Sequence, residues 1–336
     1  MDTNANLITR NHNIDMMKGA CILFVIITHY NWNDSERGCL IFPLLIEMAV
    51  PVFIVLTGYV YTLSYQKCSI SILSKEFFVR GIVCRLIRYI IPFTIVFLIE
   101  YFVFKMYGMV DTSIRGLISS FLQGGIGPGS YYFPVMIQLV FIFPILLHLI
   151  SSYGRNALLL SLVANVAYEI VGRFISMNES VYRIVALRYL FIFSFGIFVA
   201  LYDIEKRHFI YLSALSIVGG GFAVITHMGL YNPCIFSCWT STCMLSSWWI
   251  LPFVISFLKI RIPRFSCLEV IGKASYNVYL VQMIFFNSVY LIYNRIESQL
   301  LELIICVLIC ILLGIIFYYM ENPITNQIIR IIKKKI

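Results

Sequence analysis

The sequence predicts an all-α integral membrane protein, about ten transmembrane helices arranged around a polar cavity. Three observations carry that expectation. Of 336 residues, 60% are hydrophobic and only 12% charged, about half the charged share of a soluble domain, and the mean hydropathy is +0.89. Apolar stretches approaching the roughly 20 residues that cross a bilayer recur along the whole chain. Within the first of them, ionisable residues stand at helical spacing, which is costly in lipid and places them against protein or water.

Spans are expected near residues 16–32, 40–65, 87–107, 131–150, 157–172, 187–203, 209–228, 235–258, 276–294 and 299–320. Asn165 and Glu169 interrupt the fifth. The longest polar connections are too short for a soluble domain, so residues 1–336 read as one transmembrane domain. Residues 1–13 are polar and lead into the first span with no small-residue cleavage site, so no cleavable signal is expected. With the N-terminus in the cytoplasm, seven of the 25 basic residues fall outside (Arg37, Lys105, Arg115, Arg173, Arg183, Arg188, Arg295) and the other eighteen inside. That asymmetry favours both termini in the cytoplasm. It also accounts for the net charge of +9 without a nucleic-acid partner.

Two connections stand out. Residues 66–88 are basic and partly amphipathic, and Gln123-Gly124-Gly125-Ile126-Gly127-Pro128-Gly129 reads as a flexible connector. No Lys-Ser/Thr follows these glycines, so they form no phosphate loop. The ten cysteines are scattered, mostly within apolar spans, and read as small buried hydrophobes rather than as a metal site or a disulfide framework.

The first span, Ile14 to Trp32, holds Asp15, Lys18 and His29. Eleven residues at about 100° each return to within about 20° of the same face and climb about 16.5 Å, so Lys18 at a membrane surface sets His29 in line above it. Asp15 shares that face. Imidazole is the usual general base near neutral pH, which makes His29 the leading candidate for proton transfer. Arg85 and Arg88, three apart at the cytoplasmic rim, serve either as a flank against lipid phosphates or as a clamp for a phosphate-bearing ligand. Among the acids in or near spans (Glu47, Glu100, Glu169, Glu302, Glu321), Glu47 is the nearest in sequence to His29, either orienting it, lining the cavity or resting at the outer interface. Val50 to Tyr59 and Ser275 to Gln282 supply Pro, Thr, Gly and polar edges suited to close helix packing.

Taken together and in order, these pieces resemble the bacterial acyltransferase-3 family of integral membrane proteins that O-acylate surface glycans. Ile14-Asp15-Met16-Met17-Lys18-Gly19 through His29 is similar to the family's Leu-Asp-Gly-Leu-Arg-Gly and apolar run ending in His. Phe53 to Tyr59 resembles Phe-Phe-x-Leu-Ser-Gly-Phe/Tyr with Thr57 in the Ser place, and Arg85 with Arg88 matches Arg-x-x-Arg. Tyr131 to Pro144 looks like the Trp/Tyr-Phe-x-x-x-Leu segment, Ser275 to Gln282 like Ser-Tyr-x-x-Tyr-Leu-x-His, and Glu321-Asn322-Pro323 like the closing Glu-x-Pro. Lys18 departs from the commoner Arg, keeping charge but losing the fork, and Gln282 departs from a frequent His. The extracellular hydrolase-like domain fused to some members has no counterpart here, so the stand-alone form is expected.

The resemblance implies transfer of an acyl group, most often acetyl from acetyl-CoA, to a hydroxyl of a cell-surface or lipid-linked polysaccharide. It implies His29 as base or transient acyl carrier, Asp15 orienting Lys18, and Lys18, Arg85 and Arg88 on the donor phosphates. Glu47, Tyr59, Tyr132, Tyr276 and Gln282 are expected to bind substrate or line the cavity. No metal is implied, and a homo-oligomer is left open. A polysaccharide exporter or small-solute transporter is the competing reading, with the same polar stripe lining a pathway.

Overall fold

The computed structural model describes residues 11–67, 74, 77–108, 113–204, 206–230, 243–260, 262–288 and 298–334, and among these the regular structure is all helical, with no strand. The helices that coincide with expected spans are α1 (His12–His29), α2 (Ala49–Gln66), α3 (Cys84–Met106), α4 (Tyr132–Tyr153), α5 (Arg155–Phe174), α6 (Leu190–Leu201), α7 (Lys206–His227), α8 (Leu251–Lys259), α9 (Ser275–Ser288) and α10 (Gln299–Lys334). By length and composition, Phe42–Gln66, Gly81–Met106, Tyr132–Tyr153, Arg155–Phe174, His208–His227 and Gln299–Lys334 suit a membrane crossing, with Ala186–Leu201 and Met244–Lys259 shorter but apolar. Parts of the eighth and ninth expected spans, and most of residues 66–76, lie outside the described residues.

Helix α1 runs through the middle of the packing. Its N-cap Asn11 accepts the Asn13 amide at 3.0 Å, and Asn13 Nδ2 donates to the carbonyls of Phe257 and Ile260 at 2.7 Å each, tying its start to the end of α8. Gly19 and Gly272 let α1 meet the short helix Ser266–Lys273 backbone to backbone. A Cβ at Gly272 would lie 1.8 Å from the Asp15 carbonyl oxygen, and one at Gly19 2.3 Å from that of Leu268. The same device joins α2 to α6, where a Cβ at Gly58 would lie 2.3 Å from the Phe193 carbonyl and one at Gly196 2.1 Å from that of Val55. Small residues at helix crossings allow this approach in a membrane bundle, where van der Waals packing holds the helices together.

Two spans depart from the simple reading. The second is broken: a π-helical turn, Phe42–Ile46, precedes α2, and Glu47 and Met48 form the joint. Pro51 has no N–H for the carbonyl four residues back, which is that of Glu47, so the backbone bonding pauses there. The last span does not stop near residue 320. Helix α10 continues through Pro323 to Lys334, its 36 residues about 54 Å long and well beyond a hydrocarbon core. Thr325 and Ile329 stay buried past the proline, so packing holds the helix where one backbone bond is lost.

Four of the five acids are deeply buried, and each has a partner. Glu169 accepts from Tyr182 Oη at 2.9 Å, Glu302 from Tyr30 Oη at 3.0 Å, and Glu321 from Asn277 Nδ2 at 3.3 Å and from the Thr325 hydroxyl. Glu100 accepts the Ile126 amide at 3.1 Å. Hydrogen-bonded acceptors of this kind are how such groups are tolerated away from water.

Candidate active site

Three cavities lie in series along α1. At the Lys18 end is a basic vestibule of about 600 Å³, lined by Asp15, Lys18, Arg85, Arg88, Lys273 and Lys333 among others. At the other end is a chamber of about 570 Å³ that includes His29, Arg37, Glu47, Arg183 and His227. Between them is a neck of about 110 Å³ walled by tyrosines. Lys18, Tyr89, Ser275 and Tyr276 line both vestibule and neck, while Val25, His29, Val50, Gly129 and Tyr131 line both neck and chamber.

The contribution of α1 to the neck is Lys18, Ile22, Val25 and His29. Steps of four, three and four residues make this one helical face, so Lys18 and His29 stand on a common wall about 16.5 Å apart along the axis. His29 is half-buried and is the last residue of α1. Across the neck, Tyr132 and Tyr276 meet Tyr279 with ring centroids 5.1 and 5.8 Å apart, and Tyr276 Oη donates to the Tyr89 carbonyl at 3.1 Å. Thr57 lines the neck with its hydroxyl committed to the Phe53 carbonyl at 2.7 Å.

The Gly-rich segment is not the plain connector expected from its composition. It is folded into the bundle against His29. Gly124, Gly125 and Gly129 have φ of +89°, +105° and +83°, a region open to glycine. Ile126 donates to Glu100, Gln282 Nε2 donates to the Pro128 carbonyl at 3.2 Å, and Tyr279 Oη donates to the Gly129 carbonyl at 3.0 Å. A Cβ at Gly129 would lie 3.1 Å from His29 Nε2, and Cβ atoms at Gly125 and Gly127 would lie 2.8 and 2.9 Å from the Glu100 carboxylate oxygens. Composition signals freedom here, but buried acceptors and donors on α3 and α9 hold the loop in place.

The predicted site residues therefore divide. Lys18, Asp15, Arg85, Arg88, Tyr132, Tyr276, Glu47 and His29 line the three cavities. Tyr59 and Gln282 line none of the three. The Tyr59 backbone faces α6, its amide 3.0 Å from where a Cβ at Gly196 would sit, and Gln282 is fully buried as a prop for the loop. Arg85 is largely occupied: its guanidinium donates to the Gly81 and Tyr61 carbonyls at 2.8 and 3.1 Å and lies 4.1 Å over the Tyr61 ring. Arg88 is exposed. Sequence reasoning did not single out Gly129, Glu100, Tyr279, Arg37, Arg183 or His227 for this site. The signals were the charge of Arg37 and Arg183 on the sparsely basic side and the cost of Glu100 within a span. Among the described residues no group of three or more His, Cys, Asp or Glu side chains could hold a metal ion.

At the Lys18 end, Glu269 on the short helix Ser266–Lys273 fastens the start of α1. Arg264 donates to its carboxylate at 2.6 and 3.0 Å, His12 Nδ1 is 3.0 Å away, and Lys273 Nζ 3.9 Å. The Arg264 hydrogen bonds, with His12 beside them, hold the Glu269 carboxyl below the usual carboxylate range.

A family description, acyltransferase domain of the acyltransferase-3 type, matches residues 11–319. No curated protein and no solved structure matches the chain. The match begins at the N-cap of α1 and reaches into α10, so it takes in the residues of the neck and the chamber and most of the vestibule, whose lining from Glu321 to Lys333 lies beyond it. With its membrane-crossing helices, the chain belongs to the acyltransferase-3 family and is a multi-pass membrane acyltransferase.

Proposed function

We propose that the protein moves an acetyl group from acetyl-CoA to a hydroxyl of a cell-surface or lipid-linked polysaccharide, with His29 as the base. Residues 1–336 act as one domain in a bacterial cytoplasmic membrane, the Lys18 end facing the cytoplasm and the His29 chamber facing out, as the distribution of basic residues favours. The observation that carries this reading is the series of cavities along α1, in which a cationic vestibule leads through a narrow neck to a polar chamber at His29.

Each part has a task. Lys18, Arg88, Lys273 and Lys333 attract the donor phosphates to the vestibule, and Arg85 shapes its wall and adds to its positive charge. Asp15 orients Lys18. The neck, much the smallest of the three cavities, is the passage for the acyl-bearing arm of the donor, and the acceptor binds in the chamber. His29, with Gly129 of the Glu100-anchored loop close beside it, takes the proton of the acceptor hydroxyl. The oxygen then forms the new C–O bond, the thioester C–S bond breaks, and the departing thiolate collects the proton.

The test is membranes supplied with labelled acetyl-CoA, scored for protein-dependent label in glycan. His29→Ala should insert normally and give no ester, and wild-type product from that variant would sink the assignment. Glycan movement across the membrane without any dependence on acetyl-CoA would favour the transporter instead.

A further inference from the structure

The chamber has a polar lining that the reaction outlined above does not use. Arg37, on the short helix Asp34–Arg37, and Arg183, on Glu179–Ile184, converge on it from distant parts of the chain. Both charges reach His29. The Arg37 side chain donates to the Thr28 carbonyl at 3.3 Å, and the Arg183 guanidinium lies 5.6 Å from the Tyr131 ring centre. Glu47, at the break before α2, and His227, the last residue of α7, stand in the same lining. Oε2 of Glu47 and Nε2 of His227 are buried and have no hydrogen-bond partner among the described residues.

Topology explains none of this. Basic residues are expected at the other membrane face, yet two guanidinium groups line this one space. Buried polar atoms without partners are rare, because each has given up water for nothing. A ligand with an anionic group between the two arginines and hydroxyls against Glu47 and His227 accounts for both features at once. Guanidinium forks match planar carboxylates and phosphates in particular.

We infer that the acceptor is an acidic saccharide, its anionic oxygens held between Arg37 and Arg183 and its hydroxyls bonded to Glu47 and His227. This rests on the reading of His29 as an acyl-transfer site. A sugar carboxylate and a phosphodiester offer the same chemistry to the pair of arginines, so both are tested.

Membranes carrying the full chain and its native glycan are labelled with acetyl-CoA in the presence of oligogalacturonate, a neutral galactose oligomer of equal length, or a glycerol-phosphate oligomer. At least one acidic oligomer should compete with labelling, and the neutral one should not. Which acidic oligomer competes identifies the source of the charge. Arg37→Gln and Arg183→Gln should each weaken that competition and raise the apparent KM for glycan roughly ten- to hundredfold, as loss of a charge-assisted hydrogen bond does. The KM for acetyl-CoA should not move, and Arg183→Lys should recover part of the loss. Equal competition by the neutral oligomer, or unchanged glycan KM in both Gln variants, overturns the inference while leaving acyl transfer intact. An absence of protein-dependent label in wild-type membranes overturns the acyl-transfer reading itself, and this inference with it.

Discussion

Replacing Gly129 by Ala tests how closely the loop governs His29. At φ +83° an L-residue is strained, at a cost of about 1–2 kcal/mol. The added methyl would lie 3.1 Å from His29 Nε2 and 3.5 Å from Tyr279 Cε2. Since Tyr279 also holds the Gly129 carbonyl at 3.0 Å, the imidazole is the group that must give way, by a few tenths of an ångström. Misplacement on the order of 1 Å can cost about 10²-fold in rate, so about a tenfold loss in kcat is expected. Gly108→Ala is the control: its φ is +66°, but nothing lies within 4 Å of the added methyl. It should carry the same strain and keep full activity per inserted molecule. The assay is labelled acetyl transfer in membranes, normalised to the amount of inserted protein. Equal activity of the two variants would refute the argument that the loop sets the position of His29.

Arg88→Ala should raise the donor KM severalfold with little change in stability, whereas Arg85→Ala strips hydrogen bonds from the Gly81 and Tyr61 carbonyls and should destabilise the fold by about 1–3 kcal/mol. Titration with acetyl-CoA and thermal unfolding in detergent separate the two effects. Gly196→Ala puts a methyl 2.1 Å from the Val55 carbonyl and should lower the yield of monodisperse protein by forcing α2 and α6 apart, while Gly221→Ala, with open space around it, should not. Glu269 gives a pH signature. Its carboxyl is depressed in the folded state, chiefly by Arg264, so its contribution is present above the ordinary carboxylate pKa of about 4.3 and is lost as pH falls below that value. Glu269→Gln should flatten the acid limb of a stability–pH curve, and an unchanged limb would refute the assignment.

Local pattern made much of this protein legible before any tertiary structure. The apolar runs coincide with α1 to α10 where the residues are described, because a bilayer leaves the backbone little choice but to bond within its own helix. The wall formed by Lys18, Ile22, Val25 and His29 follows from the pitch of a single helix. Gly58 was readable as a packing glycine because close helix approach needs small residues at regular positions. The break at Glu47 and the passage of α10 through Pro323 were less legible, since a proline's effect depends on what packs around it.

The amino-acid pattern by itself determined the all-helical membrane class, the presence of a charged stripe on α1 and the residues that resemble an acyltransferase. Only the tertiary structure decided what faces that stripe. It brought Gly129 to His29 through Glu100, Gln282 and Tyr279, removed Tyr59 and Gln282 from the cavity wall, and gathered Arg37, Arg183, Glu47 and His227 into one chamber. The reason is physical. Periodicity along one helix is local, whereas a cavity is made by side chains from several helices whose crossings depend on long-range packing.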